Sequence, residues 1–143
     1  MIEFVVHGTP APQGSKNKWG TEDNPRTRPW RAAVAAEAAL VMAGRDLYAG
    51  PVQLEVFFHY TRPQSHFGSG RNRSVLRSNA PDYKTGPPDL DKLTRAIGDS
   101  LQGTVIRNDS QIVIVYACKL FDSKSFARVV VRELEPRAQQ VAA

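Results

Sequence analysis

Two aspartates separated by one residue stand near the start of the segment PPDLDKLTR, at positions 87–95. A third, Asp109, lies in the segment NDSQ at 108–111, directly before a long apolar stretch. Mg²⁺ is commonly held by a few carboxylates while its other positions keep water and substrate phosphates. Asp89, Asp91 and Asp109 are therefore candidate metal ligands and catalytic residues.

The same aspartates also have a purely structural explanation. Asp89 follows two prolines at the start of a predicted helix, where it can serve as the N-cap, and Asp91 falls in the first turn, where the helix dipole favours negative charge. Capping does not account for the cation at Arg95, one turn after Asp91, or for Asp109 beyond the helix. Both explanations remain open on these residues alone.

Positive charge is concentrated in two segments rich in Gly, Pro, Ser and Asn. The 143-residue chain has a formal net charge of +5, of which residues 9–31 carry +3 and residues 61–87 carry +4, so that the remainder is −2. This distribution favours a polyanionic partner around an acidic centre. A solvated surface or a flexible insertion would explain the same charges.

A divalent ion held by carboxylates beside a basic surface suits phosphodiester hydrolysis, because the ion activates water and neutralises developing charge. Arg95 could hold the scissile phosphate or stabilise the transition state. Zinc is disfavoured because the three histidines show no spacing typical of a ligand pair. Cys118 is the only cysteine, so an internal disulfide and a cysteine-based cluster are both excluded, and we expect it to be a small buried residue. The residues thus favour a Mg²⁺-dependent nuclease, with Mn²⁺ as a possible substitute.

Periodicity predicts one α/β domain over residues 1–135, with the element order β-α-β-α-β-β, a mixed sheet and two main helices, followed by a C-terminal tail at 136–143. Thr27 is the expected cap of the first helix, and Gly44 and Gly103 are expected to stop the two helices. The predicted strands cover 2–6, 51–60, 111–121 and 125–134, and the predicted helices cover 27–43 and 89–101.

Three features of this arrangement carry further expectations. The stretch at 111–121 is apolar on both faces, which predicts a central strand that forms a hairpin with the strand at 125–134. Residues 61–87 have neither helical nor strand periodicity and are predicted to form a basic flexible loop. Asp109 follows the far end of the second helix, so either residues 102–108 run back along it or Asp109 serves the site of another subunit.

Hydrophobic residues make up 41% of the chain, which suits a single globular core. The N-terminus lacks the pattern of a signal peptide, and no stretch approaches the ~20 apolar residues that cross a bilayer. We therefore expect a soluble cytoplasmic protein with no membrane partner.

The stretch PPDLDKLTRAIGDSLQGTVIRNDSQIV, at 87–113, resembles the signature of the RusA-type Holliday-junction resolvases. The resemblance implies a RusA-like fold and a homodimer that uses Mg²⁺ to cut four-way DNA junctions symmetrically, in DNA recombination and repair and often in phages or prophages. It matches Asp89 and Asp91 to the two aspartates of the family's D-x-D element, and Asp109 to the second member of a later acidic pair. These three would be the metal-binding catalytic carboxylates.

The chain departs from the family pattern at three positions. Arg95 stands where the family carries a catalytically important lysine, and arginine and lysine are not interchangeable at such sites. Lys92 replaces an asparagine and Asn108 replaces the first acid of the pair. These departures support an alternative, a non-catalytic module that binds branched DNA through a degenerate site. A third hypothesis makes the aspartates helix caps and gives the basic loops some other acidic partner.

The two basic segments supply the expected DNA contacts, which should read backbone phosphates more than base sequence. Lys92, beside the paired aspartates, is added to them because its charge can tighten a phosphate contact. The predicted DNA-binding residues are Lys16, Lys18, Arg71, Arg73, Arg77 and Lys92.

Overall fold

Four strands and two helices make up the regular structure in this computed structural model, which describes residues 1–14, 18–19 and 24–136. Their order along the chain is the predicted β-α-β-α-β-β, in a single α/β domain. The elements are β1 (Ile2–His7), α1 (Thr27–Met42), β2 (Val52–Thr61), α2 (Leu90–Leu101), β3 (Ile112–Asp122) and β4 (Phe126–Glu133).

The strands form one mixed sheet with the order β1-β4-β2-β3. Strand β2 pairs parallel to β3 and antiparallel to β4, and β4 also pairs antiparallel to β1. The predicted hairpin between β3 and β4 is therefore wrong, because β2 lies between them. The parallel β2–β3 pair needs a crossover connection, and α2 lies within it.

One face of this sheet and both helices enclose the hydrophobic core. Alternate residues of β2, from Val52 to Tyr60, are buried, as the period-two pattern predicts. Helix α1 contributes Trp30 and Val34 to the core, and α2 contributes Leu93 and Ile97. Among the described residues, no helix is long and apolar enough to span a membrane.

The start of α1 differs from the prediction. Thr27 is the first helical residue and not the cap; its hydroxyl donates a hydrogen bond of 2.7 Å to the carbonyl of Pro12, which ties the N-terminal loop to the helix. The two glycine stop signals are confirmed, because Gly44 and Gly103 follow α1 and α2 with φ of 77° and 81°, where glycine is favoured.

Strand β3 lies at the edge of the sheet, so the prediction of a central strand is also wrong. The loop after β2 returns along the C-terminal half of this edge, where Tyr83 forms a bridge with Leu120 and the N–H of Lys84 donates to the carbonyl of Lys119 at 3.0 Å. An apolar pattern on both faces does not show which strands are neighbours. Strand β3 pairs with β2 along one edge, and the loop after β2 pairs with part of its other edge.

Candidate active site

A cavity of about 290 Å³ lies between α2 and β3 and brings together three of the predicted site residues. Asp91 and Arg95 reach it from α2, and Asp109 from the turn before β3. The three charged residues are exposed, while the cavity wall includes the apolar side chains of Leu54 and Val115. The site therefore presents two carboxylates and one guanidinium to solvent, and part of its wall is apolar.

The amphipathic pattern of α2 places the charged pair. Asp91 and Arg95 are one turn apart on the exposed side, while Leu93 and Ile97 are fully buried on the opposite side. Gly98 lies on the cavity side, where a Cβ atom would meet the Ile112 side chain at 3.5 Å. Burial of the apolar stripe therefore fixes the direction in which the carboxylate and the guanidinium point.

A tight turn after α2 brings Asp109 back to the cavity. The carbonyl of Leu101 accepts hydrogen bonds from the N–H groups of Thr104, Val105 and Ile106, and the last two side chains are fully buried. The chain then runs back towards the middle of α2. Asp109 consequently lines the same cavity as Asp91 of its own chain, the arrangement expected if residues 102–108 run back along α2.

Gln111 holds the segment that carries Asp109. Its side-chain oxygen accepts from the N–H groups of Arg107 at 2.8 Å and Asn108 at 3.0 Å. Its side-chain nitrogen donates to the carbonyls of Tyr48 at 2.8 Å and Gly50 at 2.9 Å. One glutamine thus fastens the turn to the loop between α1 and β2.

Asn108, which replaces the first acid of the family pair, has a structural role in the same turn. Its side-chain oxygen accepts a hydrogen bond of 2.9 Å from the N–H of Ser110 and forms a reciprocal capping box with Gln111. The N–H of Asp109 donates to the side chain of Gln102 at 3.2 Å. Neither glutamine was predicted from the sequence, although Gln111 at the third position after Asn108 carries the capping-box signal.

Asp89 lies at the N-cap position of α2, but its side chain makes no capping hydrogen bond. Its carboxylate is instead 3.6 Å from the ammonium of Lys92, in an exposed ion pair. Asp89 is not among the residues that line the cavity with Asp91 and Asp109. Capping by its side chain, the structural explanation of this residue, is therefore absent.

The carboxylates offer two oxygen ligands from one cavity. Within residues 1–14, 18–19 and 24–136, no three His, Cys, Asp or Glu side chains lie close enough together to hold a metal ion. Asp91 and Asp109 alone fit an ion that takes few protein carboxylates and keeps several waters, as Mg²⁺ does. The structure thus joins two of the three predicted ligands and leaves Asp89 paired with Lys92.

Lys119 positions the backbone before α2, a role that the sequence did not predict. Its ammonium donates to the carbonyls of Gly86 at 2.9 Å and Pro88 at 2.8 Å. These carbonyls belong to the backbone that leads directly into Asp89 and α2. No sequence signal marked Lys119, because it lies in β3 and meets residues more than 30 positions earlier in the chain.

The cavity continues as a groove along α2. A second cavity of about 550 Å³ shares Asp91, Thr94 and Val115 with the first and extends to Leu90 and Ala117. Asp99, by contrast, lines a different cavity on the other side of α2. The exposed carboxylates of the groove are therefore Asp91 and Asp109.

The predicted DNA-binding residues have different settings. Lys16 lies outside the described residues, and the ammonium of Lys18 is 5.0 Å from the centroid of the Trp19 ring. The loop after β2 forms a short arm over residues 66–77. Within it Phe67 pairs with Leu76, and the N–H of Arg77 donates to the carbonyl of His66 at 2.9 Å. The exposed arginines of this arm are Arg71, Arg73 and Arg77.

Two carboxylates and an arginine share a cavity on an α/β domain that also carries an exposed basic arm, a combination that suits a nuclease. The sequence pattern of the RusA endodeoxyribonuclease family matches residues 3–132, and the chain belongs to that family. The chain is also 24% identical over 139 residues to the uncharacterized protein YqaN of Bacillus subtilis (strain 168), a match that covers 93% of this chain and 96% of YqaN.

Proposed function

We propose that this protein is a metal-dependent, structure-selective endonuclease that resolves four-way DNA junctions by paired, symmetric cuts during recombination and repair. The observation that carries the proposal is that Asp91, Arg95 and Asp109 line one cavity between α2 and β3. Family membership supplies the endodeoxyribonuclease class. The cavity supplies the residues to which the chemistry is assigned.

In this proposal Asp91 and Asp109 hold a Mg²⁺ or Mn²⁺ ion. Bound Mg²⁺ supplies Lewis-acid chemistry, which makes water a better nucleophile and offsets charge that develops on the phosphate. Asp89 lies two residues from Asp91 and would join the site when Lys92 releases it for a DNA phosphate. The ammonium of Lys92 is 3.6 Å from the carboxylate of Asp89, and both groups are exposed. Such an ion pair is weak, so Lys92 can exchange Asp89 for a phosphate.

Arg95 orients the substrate. Its guanidinium is on the same side of α2 as Asp91 and faces the same cavity, so it can bind two oxygens of the scissile phosphate at once. Arg95 keeps the charge of the family's lysine but offers a planar fork of donors, which favours binding over proton transfer.

Recognition of the junction is assigned to the basic segments. Arg71, Arg73 and Arg77 extend from one exposed arm, with Lys18 and Lys16 in the N-terminal segment, and all would contact phosphates. Affinity should then fall with salt, with a slope of about 0.9 for each phosphate contacted. Binding that is insensitive to salt would contradict this assignment.

The first test is cleavage of a labelled synthetic four-way junction with Mg²⁺, Mn²⁺ or EDTA. Asp91→Asn should lower the cleavage rate by about 10²- to 10³-fold, since one group that acts in the transition state is removed, while junction binding survives. The matched control is Asp99→Asn, the same change on the same helix but in another cavity. Tight junction binding without cuts under any metal would instead favour the non-catalytic module.

We also propose that the protein acts as a homodimer, because a two-fold dimer presents two equivalent sites to the two strands that are cut. The N-terminal half of the β3 edge supports this partner. It exposes four consecutive apolar residues and has no charged side chain from Ile112 to Cys118, so it lacks the features that usually protect an edge strand. The exposed fractions are 58% for Val113, 46% for Ile114, 50% for Val115 and 58% for Tyr116.

Ile114→Lys tests the dimer without touching the residues that line the cavity. The change places a charge on the apolar edge, so the dimer should dissociate to monomers at micromolar concentration, as measured by light scattering. Gln53→Lys, on the neighbouring strand, is the control for added charge. A wild-type protein that is monomeric at this concentration would contradict the dimer.

A further inference from the structure

A further cavity, next to the segment that carries Asp89 and Asp91, has no role in the proposed mechanism. It has a volume of about 440 Å³ and lies between the N-terminal loop and the segment that precedes α2. We call it the proline cavity because prolines from both segments form its walls. Its lining includes Pro10, Arg26, Tyr60, Lys84, Pro87 and Pro88.

The walls of the proline cavity are held in place by the sheet and by α1. The hydroxyl of Tyr60, in β2, donates to the carbonyl of Pro10 at 3.0 Å, and that of Thr27 donates to the carbonyl of Pro12 at 2.7 Å. Burial raises the pKa of Tyr60, so its hydroxyl remains a neutral donor. Because these carbonyls are engaged, the loop offers flat apolar proline rings to a ligand.

Two cations, Arg26 and Lys84, line this cavity. Within the described residues, neither Arg26 nor Lys84 forms an ion pair, and no acidic side chain lines the cavity. The ammonium of Lys84 instead lies 5.3 Å from the ring centroid of Tyr60 and 5.6 Å from that of Phe121. A concave apolar site to which the described residues contribute two cations and no anion favours a ligand that has both a flat ring and a negative charge.

The position of the proline cavity relates it to the site of cleavage. Pro88 lines it, and three peptide bonds further on is Asp91, so their Cα atoms are at most about 11 Å apart. DNA rises about 3.4 Å per nucleotide along one strand, so this distance spans about three nucleotides. A strand with its scissile phosphate at Asp91 is therefore long enough to reach the proline cavity within about three nucleotides.

We propose that the proline cavity binds a nucleotide of the cleaved DNA strand, within about three nucleotides of the cut. Its phosphate faces Lys84 and Arg26, and its sugar or unstacked base lies against the proline rings and Tyr60. The inference rests on the proposed function, since it takes DNA as the substrate. It assigns DNA binding to two cations outside the predicted set.

The test uses junctions in which one phosphate at a time is replaced by an uncharged methylphosphonate, at each position up to three nucleotides on either side of the mapped cut. Binding is measured in EDTA, so that no strand is cut. For wild-type protein, replacement at one of these positions should weaken binding by about tenfold, the loss of one charged hydrogen bond. Lys84→Met should bind the unmodified junction about tenfold more weakly and lose the penalty at that position.

Two further variants make the result decisive. Arg26→Met tests the other cation at an exposed position, should Lys84→Met fail to fold. Lys124→Met, an exposed lysine between β3 and β4, should keep the wild-type pattern of penalties. The inference is overturned if both cavity variants keep that pattern while wild type cuts junctions; a wild type that neither binds nor cuts junctions overturns the proposed function as well.

Discussion

Replacing Gln111 with leucine should destabilise the protein and displace Asp109. The substitution removes all four hydrogen bonds of the side chain. The N–H groups of Arg107 and Asn108 are exposed, so water can replace their acceptor. The carbonyls of Tyr48 and Gly50 are partly buried and lose their donor.

The two partly buried bonds set the size of the effect. A net contribution of about 1 kcal/mol each gives a loss of about 2 kcal/mol in the free energy of unfolding. For a chain of this size we expect the melting temperature to fall by about 6 °C. Gln111→Glu is the matched variant, because it keeps the acceptor oxygens but loses the donor to the carbonyls of Tyr48 and Gly50 and places a negative charge beside them.

The assay combines urea unfolding with junction cleavage. Both variants should lose stability and should lower kcat more than junction affinity, because Asp109 belongs to the proposed metal site and not to the basic arm. If Gln111→Leu unfolds at the wild-type urea concentration with an unchanged slope, the hydrogen bonds of Gln111 contribute no net stability. The assignment of Gln111 as the residue that positions Asp109 would then be wrong.

Two further predictions concern β3. Lys119→Met removes the ammonium that donates two hydrogen bonds to the backbone before α2. We expect the free energy of unfolding in urea to fall by about 2 kcal/mol and kcat to decrease, while the control Lys124→Met leaves both unchanged. The N–H of Ser123, 2.6 Å from the carboxylate, lowers the pKa of Asp122. The folded state therefore keeps this carboxylate charged at lower pH than the unfolded state does, so its stabilisation is present at neutral pH and is lost as pH falls below about 4. In Asp122→Asn the free energy of unfolding should therefore fall less steeply as pH is lowered below about 4. An unchanged fall would contradict the role of Asp122.

The elements of the fold could be read from the sequence because each depends on local periodicity. Alternation in β2 and the apolar stripe of α2 reflect one buried face each, and burial confirms both. The glycine stop signals depend on the left-handed backbone that glycine adopts without strain, and the structure confirms them. The charged side of α2, with Asp91 and Arg95, followed from the same periodicity.

The order of the strands could not be read in this way, because pairing depends on contacts between distant segments. An apolar pattern on both faces predicted a central β3, but the sheet places β2 between β3 and β4. Only the tertiary structure shows that residues 82–84 pair with residues 119–121 on the edge of β3 and that Lys119 holds the backbone before Asp89.

The sequence by itself determined the candidate carboxylates and the resemblance to a family, since both depend on residue type and spacing. Only the tertiary structure decided which carboxylates share a cavity. The turn after α2 is stabilised by the burial of Val105 and Ile106 and by the hydrogen bonds of Gln111 to Tyr48 and Gly50, which link residues more than 60 positions apart. Those long-range contacts bring Asp109 to Asp91, while a local ion pair holds Asp89 to Lys92.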